Sequence, residues 1–292
     1  MEENEAMLSN YEFNLSDFAL FLSVMKNPRA YRNVLSIFLE EPDIELAEVK
    51  VEQVVLNKSG KRAIRLDAWA KSTDDRRFNM EMQNDTSKDD VRKRSRYYQG
   101  LLDSPILKSG KETRYKYLPS TVIIFITQDD IFGMDRAQYT FSEQCEEIAG
   151  LKLDDGTKKI FFNLTSKNGS QELISLLQYM KRTDIQNPDI TVKDERILEL
   201  DDIVQEVKAS EEWEAVKMSI LEIGIEKGTE IGIQRGLQQG LQQGLQQGLQ
   251  QKLREQVEKK LKKGLSVAEI ADMLEEEESV IVQIVEIINN NK

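Results

Sequence analysis

The chain has 292 residues, of which 39% are hydrophobic and 32% charged, and it carries a formal net charge of −12 at pH 7. This composition is typical of a soluble globular protein with one well-buried domain and a smaller second unit. The chain has no histidine and a single cysteine, Cys145, which excludes an intrachain disulfide and a zinc site built from the usual ligands.

Charge and hydropathy along the chain bear on its location and on its partners. The first residues are acidic and no apolar run reaches the ~18 residues that span a bilayer, so we expect no signal peptide, no membrane anchor and a cytoplasmic location. The negative net charge of the chain disfavours a nucleic-acid partner, but residues 88–116 hold nine Lys/Arg against four Asp/Glu. Because the local field decides phosphate binding, DNA remains a candidate partner.

The residue pattern up to about residue 185 predicts an α/β domain. A run of hydrophobic residues predicts a first helix at 15–25, and Pro28 suits the first turn of a second helix. Three strands, a basic amphipathic helix and a buried strand then follow in an order typical of this class. The predicted elements are helices 15–25, 28–39, 88–102 and 170–181 and strands 48–56, 63–71, 76–83, 120–127 and 160–164.

Beyond this domain the pattern is almost entirely helical. Residues 183–194 resemble a linker, and from 224 to 248 a glycine recurs every four residues. Ser266 and Glu269 form a capping-box pattern that opens a short helix, and a last helix is predicted at 279–288. We therefore expect a domain at 1–185, an acidic linker and helix at 186–223, a repeat arm at 224–264 and a helical tail at 265–292.

Two neighbouring strands bring acidic residues together in the predicted fold. If residues 73–75 form a three-residue hairpin loop, Ser72 pairs with Arg76 and Asp67 lies opposite Glu81. Gln83 then shares their face. Opposed carboxylates repel, and a hard divalent cation such as Mg²⁺ or Mn²⁺ would turn that repulsion into coordination. The alternative is an ordinary solvated sheet face.

Several separated blocks resemble the Rpn family of recombination-promoting nucleases and transposase-like proteins, within the PD-(D/E)XK superfamily. The resemblance covers about residues 14–181 in a consistent order. Its blocks are residues 14–19, 65–71, 78–83, 93–99 and 122–126, with Asp129, Phe132 and Gly133. It implies a restriction-endonuclease-like α/β core, a mixed sheet flanked by helices, followed by an α-helical arm.

The resemblance also implies roles for residues. Asp67 and Glu81 would bind Mg²⁺, for which Mn²⁺ can substitute, and both would be catalytic together with Gln83, which occupies the position of the superfamily's lysine. Gln83 can only orient water or a phosphate oxygen by hydrogen bonds. Asp17 would approach the metal or cap the first helix, and capping is favoured. Phe21 stands where the family often has lysine.

The basic helix is the predicted substrate contact. Arg94 and Tyr98 are four residues apart and share a helix face, with Arg96 beside them. Arginine suits phosphate, and tyrosine can donate to phosphate or stack on a base. A core or solvated position is the alternative for Arg94 and Tyr98, and a core position is favoured for Tyr97. Nothing in the helix reads base sequence, so we expect contact mainly with DNA phosphates.

The glycine repeat is unfavourable for an isolated helix, since each glycine costs about 0.5–1 kcal/mol against alanine. A helical arm therefore needs packing, and we expect homo-oligomerisation through it, against the alternative of a partly disordered repeat tract. The leading function is a Mg²⁺-dependent DNA endonuclease of little sequence specificity, in recombination or defence against foreign DNA. The alternatives are a non-catalytic, oligomerising regulatory protein on a nuclease fold, and an RNase-H-like transposase, for which no third acid is found.

Overall fold

The computed structural model describes residues 11–55, 63–87, 89–107 and 114–290. These form two compact units, Met1–Met218 and Ser219–Lys292. The acidic first residues, the predicted strand end at residue 56 and the predicted helix start at residue 88 lie outside the described residues.

The first unit has the predicted α/β order. The second helix begins at Pro28, and Asn27 caps it by accepting a hydrogen bond from the Arg29 amide. The helix ends at Leu39, and the next residue, Glu40, has a left-handed backbone conformation. Its helices are α1 (Phe18–Met25), α2 (Pro28–Leu39), α3 (Val91–Asp103), α4 (Gln171–Lys181) and α5 (Glu195–Lys208), with a 3₁₀ turn at Tyr115–Tyr117. Its strands are β1 (Leu46–Val55), β2 (Ile64–Ser72), β3 (Arg77–Gln83), β4 (Thr121–Thr127), β5 (Gln138–Phe141) and β6 (Thr157–Asn163).

The six strands form one mixed sheet in the order β1-β2-β3-β4-β6-β5. Strands β1, β2 and β3 are antiparallel neighbours, β3, β4 and β6 run parallel, and β5 closes the edge antiparallel to β6. The fold is therefore α/β with a mixed sheet flanked by helices, as predicted. The short strand β5 was missed, because four half-exposed residues give little alternation.

Helices cover both faces of this sheet. Phe161 and Phe162 are consecutive in β6, so their side chains point to opposite faces. Phe162 stacks on Phe38 of α2 at a ring-centroid distance of 3.8 Å. Phe161 belongs instead to a buried cluster that includes Tyr98 of α3. The face under α3 is the one that carries the predicted acidic residues.

Helix α5 packs on α2 within the first unit. The Asn33 amide of α2 donates to the Glu199 carboxylate of α5 at 2.8 Å, and Arg29 forms an ion pair with Glu199 at 3.2 Å. The residues between α4 and α5 have no helix or strand, but Ile190 is 7% exposed. The segment predicted as a linker is thus held against the first unit.

Helix α6 (Glu211–Leu261) carries the glycine repeat, and α7 (Val267–Leu274) and α8 (Glu278–Asn290) follow it. Ser266 and Glu269 form the predicted capping box at the start of α7. In the second unit a small core joins the end of α6 to α7 and α8. Its buried members are Val257, Ile270, Ala271, Ile281 and Ile288.

No helix in the described parts of the chain is both long enough and apolar enough to cross a membrane.

Candidate active site

The hairpin of β2 and β3 has the predicted register. The Ser72 amide donates to the Arg76 carbonyl at 2.9 Å, and Asp75 in the loop has a φ of 70°, as a three-residue hairpin loop requires. Ala68 then pairs with Met80, and Trp69 with Asn79. Continued by one residue, this register brings Asp67 opposite Glu81.

At that position the side chain of each acid accepts a hydrogen bond from the backbone of the other strand. The Asp67 amide donates to Oε1 of Glu81 at 3.0 Å, and the Met82 amide donates to Oδ2 of Asp67 at 3.1 Å. Each carboxylate therefore replaces a carbonyl of the neighbouring strand as hydrogen-bond acceptor. The side chains are held side by side by the sheet itself, and their separation does not depend on a flexible loop.

Both carboxylates are removed from water. Asp67 is 6% exposed and Glu81 is 0% exposed, so the alternative of an ordinary solvated sheet face is wrong. Burial raises the pKa of both groups, and the charge of Asp67 raises the pKa of Glu81 further. Such a buried acidic pair is unfavourable on its own, and a nearby cation would stabilise its ionised form.

Arg94 of α3 supplies one cation directly at this pair. Its Nη2 donates to Oε2 of Glu81 at 2.7 Å, its Nη1 donates to Oε1 of Gln83 at 2.8 Å, and its Nε donates to the Tyr98 hydroxyl at 2.9 Å. Asp90 caps α3 by accepting from the backbone amides that open the helix, which fixes where Arg94 stands. Three predicted site residues thus meet around one guanidinium.

A pocket of about 600 Å³ opens beside the pair. Asp67, Arg94 and Tyr98 line it, together with Lys93 and Tyr97, which the sequence did not single out as a contact. Tyr97 is 40% exposed, so its predicted core position is wrong, and Tyr98 is the buried one of the two. Burial, followed by the charge of Glu81, raises the pKa of Tyr98 to about 12, so it is a neutral phenol at pH 7.

The remaining predicted site residues lie elsewhere. Asp17 stands at the N-cap position of α1, but within the described residues its carboxylate accepts from the Asn14 amide at 2.7 Å and the Tyr11 hydroxyl at 3.2 Å. It therefore orients the chain entering α1, but it makes no side-chain capping hydrogen bond to the helix, so the expected capping bond is not formed. Arg96 is exposed and does not line the pocket, and Phe21 is fully buried.

Asn79 is a member of the site that sequence reasoning did not assign. Its Nδ2 donates to Oε1 of Glu81 at 3.0 Å from the same strand, two residues away. The alternation of β3, which puts Asn79 on the face of Glu81, is the sequence signal that could have identified it, whereas its full burial is seen only in the structure.

A family model described as PD-(D/E)XK nuclease family transposase matches residues 17–223, which include the whole sheet and every residue of the pocket. The chain belongs to this PD-(D/E)XK family. No curated protein and no solved structure matches the chain. Membership of the PD-(D/E)XK family implies a nuclease- or transposase-type function with DNA as substrate.

Nucleases of the PD-(D/E)XK family generally use divalent metal ions, and the site suits one. Its donors, Asp67, Glu81 and the Gln83 amide, are all oxygen atoms, which hard divalent cations prefer. Among the described residues no group of three or more histidine, cysteine, aspartate or glutamate side chains is placed to hold a metal. Water and phosphate oxygens would therefore complete the coordination, as is usual for Mg²⁺.

Proposed function

We propose that this chain is a Mg²⁺-dependent endodeoxyribonuclease, for which Mn²⁺ can substitute, with Asp67 and Glu81 as metal ligands. The observation that carries the proposal is the interlocked pair: two buried acids from neighbouring strands, each bonded to the other strand's backbone. Such a pair is costly to maintain unless a cation uses it. The family resemblance suggests a role in recombination or in defence against foreign DNA.

A divalent ion on these ligands would polarise the scissile phosphate and lower the pKa of an attacking water. The chain's own groups would then position the reactants. Gln83 is neutral, so it orients water or phosphate oxygen through its amide. The Tyr98 hydroxyl, a neutral phenol in the pocket wall, can donate to a phosphate oxygen.

Substrate binding would follow the basic helix α3. Arg94 and Tyr98 line the pocket directly, and the exposed Arg96 would contact a phosphate farther along the DNA. All of these side chains suit contacts with the sugar-phosphate backbone of DNA, since none is arranged to read base edges. The proposal is therefore an endonuclease with little sequence specificity, whose binding weakens as salt concentration rises.

The decisive experiment measures nicking of a supercoiled plasmid with Mg²⁺ or Mn²⁺. Asp67→Asn keeps an acceptor for the Met82 amide but removes the charge, so it tests the ligand and leaves the sheet in place. Asp43→Asn is the matched control, because Asp43 is exposed on the same unit. We expect Asp67→Asn to abolish nicking and the control to retain it; equal nicking by all three proteins would refute the assignment.

A second activity, self-association through α6, is favoured by one observation. An apolar side chain recurs every four residues along the repeat and is 59–67% exposed at each position. These residues are Ile233, Leu237, Leu241, Leu245 and Leu249. We propose a second copy of this chain as the partner, because identical repeats present the same periodic surface and glycines let two backbones approach closely.

Light scattering at micromolar concentration tests this assembly. The wild-type protein is expected to have the mass of a dimer or larger, and the paired change Leu241→Gln with Leu245→Gln is expected to lower it. A monomeric mass for the wild type would remove the proposal. The regulatory alternative, in which the nuclease fold only assembles partners, predicts oligomers without any Asp67-dependent nicking.

A further inference from the structure

The two oxygens of the Glu81 carboxylate have different surroundings. Oε1 already accepts two hydrogen bonds, from the Asp67 amide and from Nδ2 of Asn79, both at 3.0 Å. Both donors are buried, so neither has water as an alternative partner. Oε1 therefore helps to hold the hairpin together, and Oε2 is the oxygen that remains for another partner.

Arg94 occupies that second oxygen. Its Nη2 lies 2.7 Å from Oε2 of Glu81, and its Nη1 lies 2.8 Å from Oε1 of Gln83. The same guanidinium thus binds side-chain oxygens of two residues of β3. A metal ion on Oε2 of Glu81 would lie close to this guanidinium, and the repulsion between the two positive charges makes them compete for the same oxygen.

We propose that Arg94 is an internal counter-ion that competes with the metal: without a divalent ion it neutralises Glu81, and metal binding displaces it towards phosphate in the pocket. The inference rests on the proposed function, because it concerns the same metal site. It assigns to Arg94 a regulatory role, in which loading the metal and releasing a phosphate-binding group are one event.

The position of Arg94 allows this exchange. Its side chain is 23% exposed, whereas that of Glu81 is 1% exposed, so the arginine can move and the carboxylate cannot. It also lines the pocket of about 600 Å³ beside Asp67 and Lys93, which gives the displaced guanidinium a place to go. A planar guanidinium binds phosphate through two parallel hydrogen bonds, so it would meet the substrate well after displacement.

Metal affinity measured without DNA tests the competition. We would titrate the full chain with Mn²⁺ by calorimetry and compare Arg94→Gln with Arg96→Gln. Both changes remove one positive charge from α3, but Arg96 is exposed and outside the pocket. Arg94→Gln is expected to tighten Mn²⁺ binding at least about fivefold. Arg96→Gln is expected to change it by less than about twofold, because exposed charges are screened.

Binding of a short duplex in the presence of Ca²⁺ is the second readout. Arg94→Gln is expected to weaken this binding although its metal site fills more easily. Opposite effects on metal and on DNA are not expected of a residue that only supports the fold. Unchanged or weaker Mn²⁺ binding by Arg94→Gln would overturn the inference.

The wild-type protein offers a measurement that needs no stable variant. The Nε proton of Arg94 is bonded to the Tyr98 hydroxyl at 2.9 Å, so it should exchange slowly with water. Its resonance is assigned by its loss in Arg94→Lys. Saturation with Mg²⁺ is expected to speed its exchange, and unchanged exchange in a protein that binds Mg²⁺ would contradict displacement.

The two proposals can fail separately. If Asp67→Asn abolishes Mn²⁺ binding and nicking while Arg94→Gln leaves Mn²⁺ affinity unchanged, the nuclease stands and the competition falls. If Asp67→Asn keeps full nicking, the metal site itself is misassigned and the competition falls with it.

Discussion

The sheet unit and the glycine repeat of α6 differ in how far the surroundings constrain each residue. In the sheet, Glu81 and Phe125 are 0% exposed, and each is fixed by groups from other strands or helices. In the repeat, Leu241 is 67% exposed and an added methyl group at Gly240 would meet nothing within 4 Å. The family match ends at residue 223, immediately before the repeat begins. The candidate active site therefore lies in the unit where long-range contacts fix the position of each side chain. The repeat instead presents a surface on which successive positions are equivalent.

The largest expected contrast is in cleavage. Glu81→Gln removes the charge of a proposed metal ligand, so nicking should fall by a factor on the order of 10²–10³ or more. Leu241→Gln should leave the rate per chain unchanged, because the repeat contributes no group to the pocket. Initial rates of plasmid nicking at equal protein concentration measure both. A comparable loss of nicking in Leu241→Gln would mean that assembly through the repeat is needed for cleavage, which would contradict the expected difference between the two variants.

The next contrast is in stability. Phe38 is 1% exposed and stacks on Phe162, so Phe38→Ala should lower the free energy of unfolding by about 3–5 kcal/mol. Leu241→Ala should change it by less than about 0.5 kcal/mol, as for other exposed positions. Urea denaturation followed by circular dichroism gives both values. A large loss for Leu241→Ala at a concentration where the protein is oligomeric would place that leucine in an interface.

A smaller effect is expected from the charge of the site itself. Folding raises the pKa of Asp67, so the folded state binds that proton more tightly than the unfolded chain, and stability is lost as pH rises through the folded pKa. Asp67→Asn removes this cost and should stabilise the metal-free protein by about 1–3 kcal/mol at pH 8. Near pH 4 the difference should disappear, because the wild-type acid is then protonated.

Thermal melts in a chelating buffer at the two pH values measure this effect. Asp43→Asn is again the control, and it should show no such pH dependence. A variant Asp67→Asn that is less stable than wild type at pH 8 would show that the carboxylate contributes more through its bond to Met82 than it costs through burial.

The smallest effect concerns the glycines. Gly240→Ala should stabilise α6 by about 0.5–1 kcal/mol in a monomer, because alanine loses less backbone entropy and the methyl group has open space. Helical content on heating, followed by circular dichroism, measures it. If the same change lowers the oligomeric mass instead, the glycines are contact points where two backbones approach closely.

Much of the sheet unit could be predicted from the chain alone, because its pattern is locally consistent. The loop at 73–75 fixes the hairpin register, and alternation alone predicts that Asp67 and Glu81 share one face. The helix at Pro28 and the capping box at Ser266 were predicted for the same reason, since caps and proline act within one helical turn. Short-range rules were sufficient wherever the deciding contact is close in sequence.

The errors arise where the deciding contact is distant in sequence. The sequence favours a core position for Tyr97 and does not decide that of Tyr98, because the buried face of a helix cannot be assigned until the sheet beneath it is placed. The bonds from Arg94 to Glu81 and Gln83 span 13 and 11 residues, across the loop that joins β3 to α3. The edge strand β5 depends on pairing with β6, so its own four residues do not predict a strand.

The strand β1 is also irregular beside the acidic pair. Val51 pairs with Ala68 and Gln53 with Leu66, but Glu52 between them has a φ of 51°. On its other side, β2 is joined to β3 by amides of Asp67 and Met82 that donate to carboxylates rather than to carbonyls. In hydrogen-exchange measurements these two amide protons would therefore report on the ionic state of the site from inside the sheet, so that the backbone itself serves as the probe of metal loading.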